Sequence, residues 1–336
     1  MKKALVTGGC GFIGSNLVRG LVNQGWQVDV VDNMSSGKLS LLDDLSTRVL
    51  MNGTFLTAYR HASIDIPRKK GQVLVIQDDF SDDHVLSAIS QGDYHVIFHQ
   101  AAVPRVSYSV EQPWHTSNVN ISKTVRLFEA ARGNVSKIVW ASSSSVYGGA
   151  PLEKLPIKES EPKKPKSPYA WQKSAIEDFS KMCWDLYKLD VVCLRYFNVF
   201  GPGQYGDSPY STAVSAWCHA IKNGLECRSD GDGEQSRDMC YVDNVVQANI
   251  KAANFSKPLM GQCFNVACGD RVSNNEILDY LKGRFGDRVK VRKAPARVGD
   301  VKHTQADITN IHNQIGYSVQ KRFWQGLEET IKWWDL

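Results

Sequence analysis

The stretch ALVTGGCGFIG, residues 4–14, leaves this chain few folds to choose from. Ala4 to Thr7 reads as a short buried strand, and Gly8, Gly9, Gly11 and Gly14 follow it at once, leading into an amphipathic run from Ile13 to Gln24. Strand, glycine turn and helix open a dinucleotide-binding βαβ unit. Glycine admits the tight turn and lets backbone approach a pyrophosphate with no Cβ in the way, and the helix N-terminus attracts phosphate charge. Gly8, Gly11, Phe12, Ile13 and Gly14 are therefore candidate cofactor contacts. A second strand, Gln27 to Val31, ends at Asp32. A carboxylate there accepts hydrogen bonds from both hydroxyls of an adenosine ribose and repels a 2′-phosphate, so the expected cofactor is NAD rather than NADP. Asn33, Ser36 and Gly37 lie in the following loop and join the candidates, while Asp32 as a turn cap in DNMSSG is the competing reading. Asp79 and Phe80, closing a third strand in QDDFSDD, are placed to meet the adenine edge and face, with Asp78 as a one-residue alternative.

The first half continues this alternation. Strand candidates at Val73 to Ile76, His95 to His99, Lys137 to Ala141 and Val191 to Arg195 are interleaved with helix candidates at Asp82 to Ser90, Asn118 to Arg132 and Tyr169 to Tyr187. The pattern predicts an α/β fold, a Rossmann-like doubly wound parallel sheet with helices on both faces. Leu45 to Lys70 shows no clear period and is expected to be an irregular insertion. Past Phe197, the stretches GPGQYGDSPYS and DGDGEQSRD break the alternation. A smaller C-terminal substrate-binding lobe is expected there, with residues 1–195 and 238–256 forming the dinucleotide domain and 196–237 and 257–336 the lobe.

Charged residues make up 22% of the chain and hydrophobic ones 42%, as in ordinary globular proteins, and no run approaches the roughly 20 apolar residues of a membrane span. The net charge of +5 includes no arginine-rich or aromatic-interleaved tract, so neither nucleic acid nor membrane is an expected partner. MKK passes straight into the first strand, unlike a signal peptide. Cys10, Cys183, Cys193, Cys218, Cys227, Cys240, Cys263 and Cys268 form no C-x-x-C pair and no cluster with histidine. No metal site is expected, and a reduced cytoplasmic setting is.

Tyr169 and Lys173, in SPYAWQKSAIEDF, are four residues apart and share one face if they lie on a helix. A phenol with a pKa of roughly 10 is a poor base at neutral pH unless a nearby cation favours its phenolate, and Lys173 is spaced to supply that charge. The serine run Ser142 to Ser145 adds hydroxyls upstream. Together with the glycine turn, these groups indicate a redox enzyme.

These features combine with HQAA at His99 to Ala102, SSSSVYG at Ser142 to Gly148 and RYFNVFGPGQ at Arg195 to Gln204. With them the chain resembles the extended short-chain dehydrogenase/reductase family over nearly its whole length, and within it the NAD-dependent nucleotide-sugar 4-epimerases. The resemblance implies Tyr169 as catalytic base, Lys173 as its electrostatic partner and ribose contact, and Ser143 as the catalytic hydroxyl. It implies Gln100, Ala101, Ala102, Asn118 and Tyr196 as further cofactor contacts. Ser143, Ser144, Asn198, Arg237, Arg297, Asp300 and Thr304 are implied contacts to a nucleotide diphosphate and its sugar, for which two arginine forks are well suited. Asn198 as a loop cap, and Arg237 paired with Asp238 or Asp243, are the plainer alternatives. His99 reads as a structural strand-end residue.

Sister dehydratases and decarboxylases resemble this chain but carry acids where it has Ser144 and Ser145, which favours epimerisation. A bulky tyrosine seven residues after the nucleotide-binding arginine restricts relatives to unacetylated hexoses, and that position is the small Thr304. The resemblance therefore points to a UDP-GlcNAc 4-epimerase, with UDP-glucose or UDP-glucuronate as alternative substrates. Arg105, in AAVPRVSYS, stands where a small residue or serine is often seen and would suit a uronate carboxylate. A non-catalytic NAD-binding sensor is a further reading, opposed by the presence of Ser143, Tyr169 and Lys173. A homodimer is implied through the helices around Asn118 to Arg132 and Tyr169 to Tyr187.

Overall fold

A computed structural model describes residues 2–51, 71–207, 211–296 and 301–336. Arg297, Asp300 and most of the segment 45–70 lie outside them. The chain divides into two compact units. The first is Met1–Val146, Pro165–Arg195 and Val246–Phe264; the second is Tyr147–Lys164, Tyr196–Val245 and Asn265–Leu336. Set against the bounds expected from sequence, Tyr147–Lys164 groups with the second unit and the stretch that returns to the first is Val246–Phe264.

The main sheet contains β1 (Lys3–Thr7), β2 (Gln27–Val31), β3 (Thr47–Met51), β4 (Val73–Gln77), β5 (Val96–His99), β6 (Lys137–Ser143), β7 (Val191–Tyr196) and the strand Cys263–Val266. Across the sheet the order is Cys263–Val266, β7, β6, β5, β1, β2, β4, β3. It is a Rossmann-like parallel sheet, with β1 in register Lys3↔Gln27 against β2 and Ala4↔Val96 against β5. Val28, Val30, Val73, Val75, Ile97, Ile138 and Val192 are buried, as continuous apolar strands must be when helices cover both faces. The chain winds outward in opposite directions from β1. Beyond the strand ends at this switch point lies the crevice where such sheets bind ligands.

Around the sheet lie α1 (Phe12–Asn23), α2 (Asp83–Ser90), α3 (Val106–Glu111), α4 (Pro113–Ser117), a π-turn (Asn118–Lys123), α5 (Thr124–Ala130) and α6 (Pro168–Tyr187). Pro168 stands in the first turn of α6, where its missing N–H costs nothing, and the Ser167 side chain accepts from the Ala170 N–H. Left-handed Lys188 ends the helix. Ile176 and Cys183 of α6 pack with Leu127, Phe128, Ile138 and Trp140 in the core.

Two expectations need correction. The segment from Leu45 is not irregular throughout, because Thr47–Met51 forms the edge strand, paired Thr47↔Val73 with β4. The helix expected from Asn118 begins as a π-turn, and two short helices that the sequence reading did not anticipate, α3 and α4, precede it.

The second unit holds helices Ala213–Lys222, Asn274–Phe285 and Phe323–Trp333 and small two-stranded sheets, among them Cys227–Asp230 with Val291–Ala294. Buried Phe197, Phe200, Trp217, Tyr317 and Leu327 supply its core. Among the described residues no helix is long and apolar enough to cross a membrane, and no three His, Cys, Asp or Glu side chains are grouped to hold a metal ion.

Candidate active site

The turn after β1 has no room for larger residues. Gly8 has φ +69°, and a Cβ there would stand 2.8 Å from the Ala101 nitrogen; on Gly14 it would stand 2.1 Å from the Gly8 carbonyl oxygen. The Gly11 N–H donates to the Gly8 carbonyl at 3.1 Å. Helix α1 starts at Phe12 with no side-chain cap and no acid in its first turn, so its N–H groups and positive dipole end remain for an anion. Asp32 is buried at the end of β2 and accepts from the Cys10 N–H at 2.9 Å and the Met34 N–H at 2.9 Å. Burial raises the Asp32 carboxyl above its ordinary pKa, against the pull of those two donors. A Cβ on Gly37 would sit 2.8 Å from both Asp32 carboxylate oxygens, so the 33–38 loop needs glycine where it closes over the acid. Asn33 holds this loop by accepting from the Ser35 N–H at 3.1 Å, and Ser36 is exposed on it. This turn fits a dinucleotide.

Asp79 and Phe80 have structural partners. Lys123 donates to Asp79 at 2.7 Å and Ser81 binds the same carboxylate. Burial raises Asp79, but Lys123 and Ser81 outweigh it and leave the group below its ordinary value. The Phe80 ring is buried and packs at a steep angle on His99, 4.8 Å between centroids. His99 is the structural residue expected: its Nδ1 lies 2.6 Å from Thr7 Oγ1 and its Nε2 3.0 Å from Thr124 Oγ1. Burial, reinforced by Lys173, pulls its pKa down to about 3, which leaves it neutral. The Gln100 side chain donates to Asn249 at 3.1 Å.

Tyr169 and Lys173 both point inward from α6, and the Tyr169 hydroxyl lies near Ser143 at the end of β6. Lys173 Nζ donates to the Ala141 carbonyl at 2.6 Å and lies 5.7 Å from the Tyr169 ring centroid. Burial pushes the Tyr169 phenol up to about 12, an effect only partly offset by Ser143. Burial also pulls Lys173 down to about 7, despite Cys193 and Glu177 nearby. Lys173 alone therefore does not make Tyr169 a base at neutral pH. One turn along α6, buried Glu177 accepts two bonds from Arg195, each 2.8 Å, and one from Ser142 at 2.6 Å, fixing the helix against β6 and β7. Ser144 and Ser145 open a single 3₁₀ turn, and the buried Ser145 hydroxyl has no protein partner among the described residues.

Asn118 is half-buried in the π-turn. The buried amide of that turn is Asn120, which bonds the backbone of Val103 and the side chain of Gln172. Neither Asn120 nor Gln172 was singled out from sequence.

In the second unit, Asn198 and Thr304 come together. Asn198 Nδ2 donates to Thr304 Oγ1 at 3.2 Å and to the Asp238 carbonyl at 3.1 Å, from a backbone with φ +21°. Asn198 thus caps a loop as well as facing Thr304. The Thr304 hydroxyl also accepts from the Asp238 N–H at 3.2 Å. Arg237 donates to the Ser236 and Lys302 carbonyls. The Asp238 carboxylate accepts from the N–H groups of Cys268, Gly269 and Ala306 at 2.9, 3.1 and 3.0 Å. Tyr196 is buried at the end of β7.

Residues 4–267 match the NAD dependent epimerase/dehydratase family. The chain belongs to that family. As a member of the epimerase/dehydratase family it is an enzyme with NAD as its cofactor, in keeping with the glycine turn and Asp32. It is 33% identical over 334 residues to a UDP-glucose 4-epimerase of Mycolicibacterium smegmatis, covering 98% of this chain and 97% of that one. Among solved structures it is similar to the UDP-N-acetylglucosamine 4-epimerase of Methanobrevibacter ruminantium in complex with UDP-N-acetylmuramic acid (34% identity, TM-score 0.84, covering 99% and 98% of the two chains). It is also similar to the UDP-glucuronic acid 4-epimerase of Bacillus cereus in complex with UDP-glucuronic acid and NAD (26% identity, TM-score 0.81, 99% of each chain).

Proposed function

We infer that the protein is a UDP-N-acetylhexosamine 4-epimerase that interconverts UDP-GlcNAc and UDP-GalNAc. The observation that carries the reading is the Tyr169 phenol, near Ser143 and backed by buried Lys173, in a chain whose relatives include 4-epimerases of UDP-sugars. Gly8, Gly11, Phe12, Ile13 and Gly14 would hold the pyrophosphate of NAD and Asp32 the adenosine ribose. Bound NAD supplies a hydride acceptor and donor for carbon 4 of the sugar, and a positive ring charge. A cation beside these residues lowers the proton affinity of the Tyr169 phenol, which needs that help. Tyr169 Oη then takes the proton of the sugar 4-hydroxyl, while Ser143 Oγ hydrogen-bonds the same oxygen. Once the keto sugar has presented its other face, Tyr169 returns the proton and the configuration at carbon 4 is inverted.

Thr304 supports the N-acetyl assignment: it is small, and its hydroxyl is already engaged by Asn198 and Asp238. Arg237, with Arg297 and Asp300, would grip the nucleotide diphosphate. Arg105, two residues beyond the anchored Val103, favours a uronate as the second reading. The reading includes a cytoplasmic homodimer. Its support is the set of exposed apolar side chains Val110 and Trp114 on α3 and α4, and Trp171, Met182 and Leu186 on α6.

Purified protein without added NAD, mixed separately with UDP-GlcNAc, UDP-glucose and UDP-glucuronate and followed by proton NMR, tests the assignment. UDP-GalNAc is expected to form fastest. Fastest turnover of UDP-glucuronate would replace the N-acetylhexosamine by the uronate, and no turnover even with NAD supplied would reject the epimerase. Thr304→Val should keep the small volume but unsettle Asn198, raising KM, whereas Thr304→Tyr should abolish acetylated-sugar turnover and spare UDP-glucose.

A further inference from the structure

A single segment, residues 101–109, runs from the dinucleotide turn to the catalytic helix. At one end Ala101 lies against Gly8, which has no space for a Cβ. At the other, the Ser109 hydroxyl accepts from the Tyr169 N–H at 3.1 Å. Midway, Asn120 grips both backbone groups of Val103: its Oδ1 accepts from the Val103 N–H at 2.8 Å and its Nδ2 donates to the Val103 carbonyl at 3.1 Å. The same Nδ2 donates to Gln172 Oε1 at 2.8 Å, and Gln172 Nε2 donates to Thr116 Oγ1 at 2.9 Å and Ser117 Oγ at 3.1 Å. Every proton of the two amides is used. Asn120 is 3% and Gln172 0% exposed, so bulk water is no partner for either amide. Gln172 immediately precedes Lys173, and Tyr169 lies three residues before it. The strap also leaves the carboxyl end of β5, beside the switch point where a ligand is expected.

We propose that Asn120 and Gln172 are positioning residues: they lock the 101–109 strap, with Arg105 on it, to helix α6 and so fix how a sugar presents its reacting carbon to Tyr169. The proposal rests on the epimerase reading for its substrate but not for its mechanics. A buried, fully satisfied relay moves only as a unit, so loosening one amide frees the strap from the helix. A misplacement of about 1 Å at a reacting centre costs on the order of a hundredfold in rate.

Gln172→Met keeps length and removes three hydrogen bonds. It is expected to lower kcat about a hundredfold and to speed hydrogen exchange at the Val103 and Tyr169 amides, leaving the β2 amides unchanged. Gln172→Glu keeps an acceptor for Asn120 and should restore part of both. Unchanged exchange at Val103 and Tyr169, or faster exchange with wild-type kcat and KM, overturns the proposal. If Gln172→Met does not fold, Thr116→Val with Ser117→Ala loosens the same amide from its other side, and the same outcomes decide. A wild-type protein that turns over no UDP-sugar rejects the functional reading instead, and the exchange measurement still decides whether the clamp holds the strap.

Discussion

Lys173 sits where its own charge is costly. Its pKa falls from the ordinary lysine value of 10.5 to about 7 on burial. Between those values the unfolded chain binds more protons than the folded one, so this group makes stability rise with pH from about 7 to 10.5, and its full cost is felt below 7. Thermal midpoints of the cofactor-free protein measured across pH 7 to 10 should therefore climb in the wild type relative to Lys173→Met. Parallel curves would reject the buried charge. Asp238 has the opposite sign, because burial raises its carboxyl from 3.8 to about 7 even though it accepts three backbone N–H bonds. Its contribution is complete below the unfolded value near 4 and fades as pH rises through 7. Asp238→Asn would set an amide N–H against a backbone N–H, and denaturant titration should show a loss of about 1–3 kcal/mol. Tyr169→Phe should abolish epimerisation and leave NAD binding intact. A variant that keeps most of its rate would remove Tyr169 from the mechanism.

The strand and glycine turn at the start of the chain were legible because their residue types report backbone demands directly. Gly14→Ala is accordingly expected to abolish NAD binding in calorimetry, since its Cβ would overlap the Gly8 carbonyl. Strand β2 was read to its last residue, as was the end of α6 at Tyr187. Other elements carried weaker signals. In the π-turn one extra residue breaks the 3.6-residue period, so the spacing that places side chains on a helix face no longer holds and Asn120 gave no sign of facing inward. Strand β3 lies at the sheet edge and opens with Thr47 and Arg48, which shortens the apolar run that marks a buried strand. Glu177 and Arg195, eighteen residues apart, meet each other from neighbouring elements, and no local pattern encodes that meeting. Asp79 and Phe80 were read as adenine contacts, and their partners Lys123 and His99, remote in sequence, left no local signal.

For the whole molecule, the proposed homodimer sets a measurable size. Sedimentation should give twice the monomer mass, and Trp114→Asp combined with Trp171→Asp should halve it, since both rings are more than half exposed on the first unit. A monomeric wild type would reject the dimer. The division of the chain has a different consequence. The backbone passes from one unit to the other five times, after Val146, Lys164, Arg195, Val245 and Phe264. A single crossover between two relatives of this protein therefore cannot exchange one unit whole, because no contiguous insert contains all of one unit and none of the other. Moving the second unit intact takes five crossovers, so substitution in place is a shorter route to a new sugar preference than the exchange of a ready-made half.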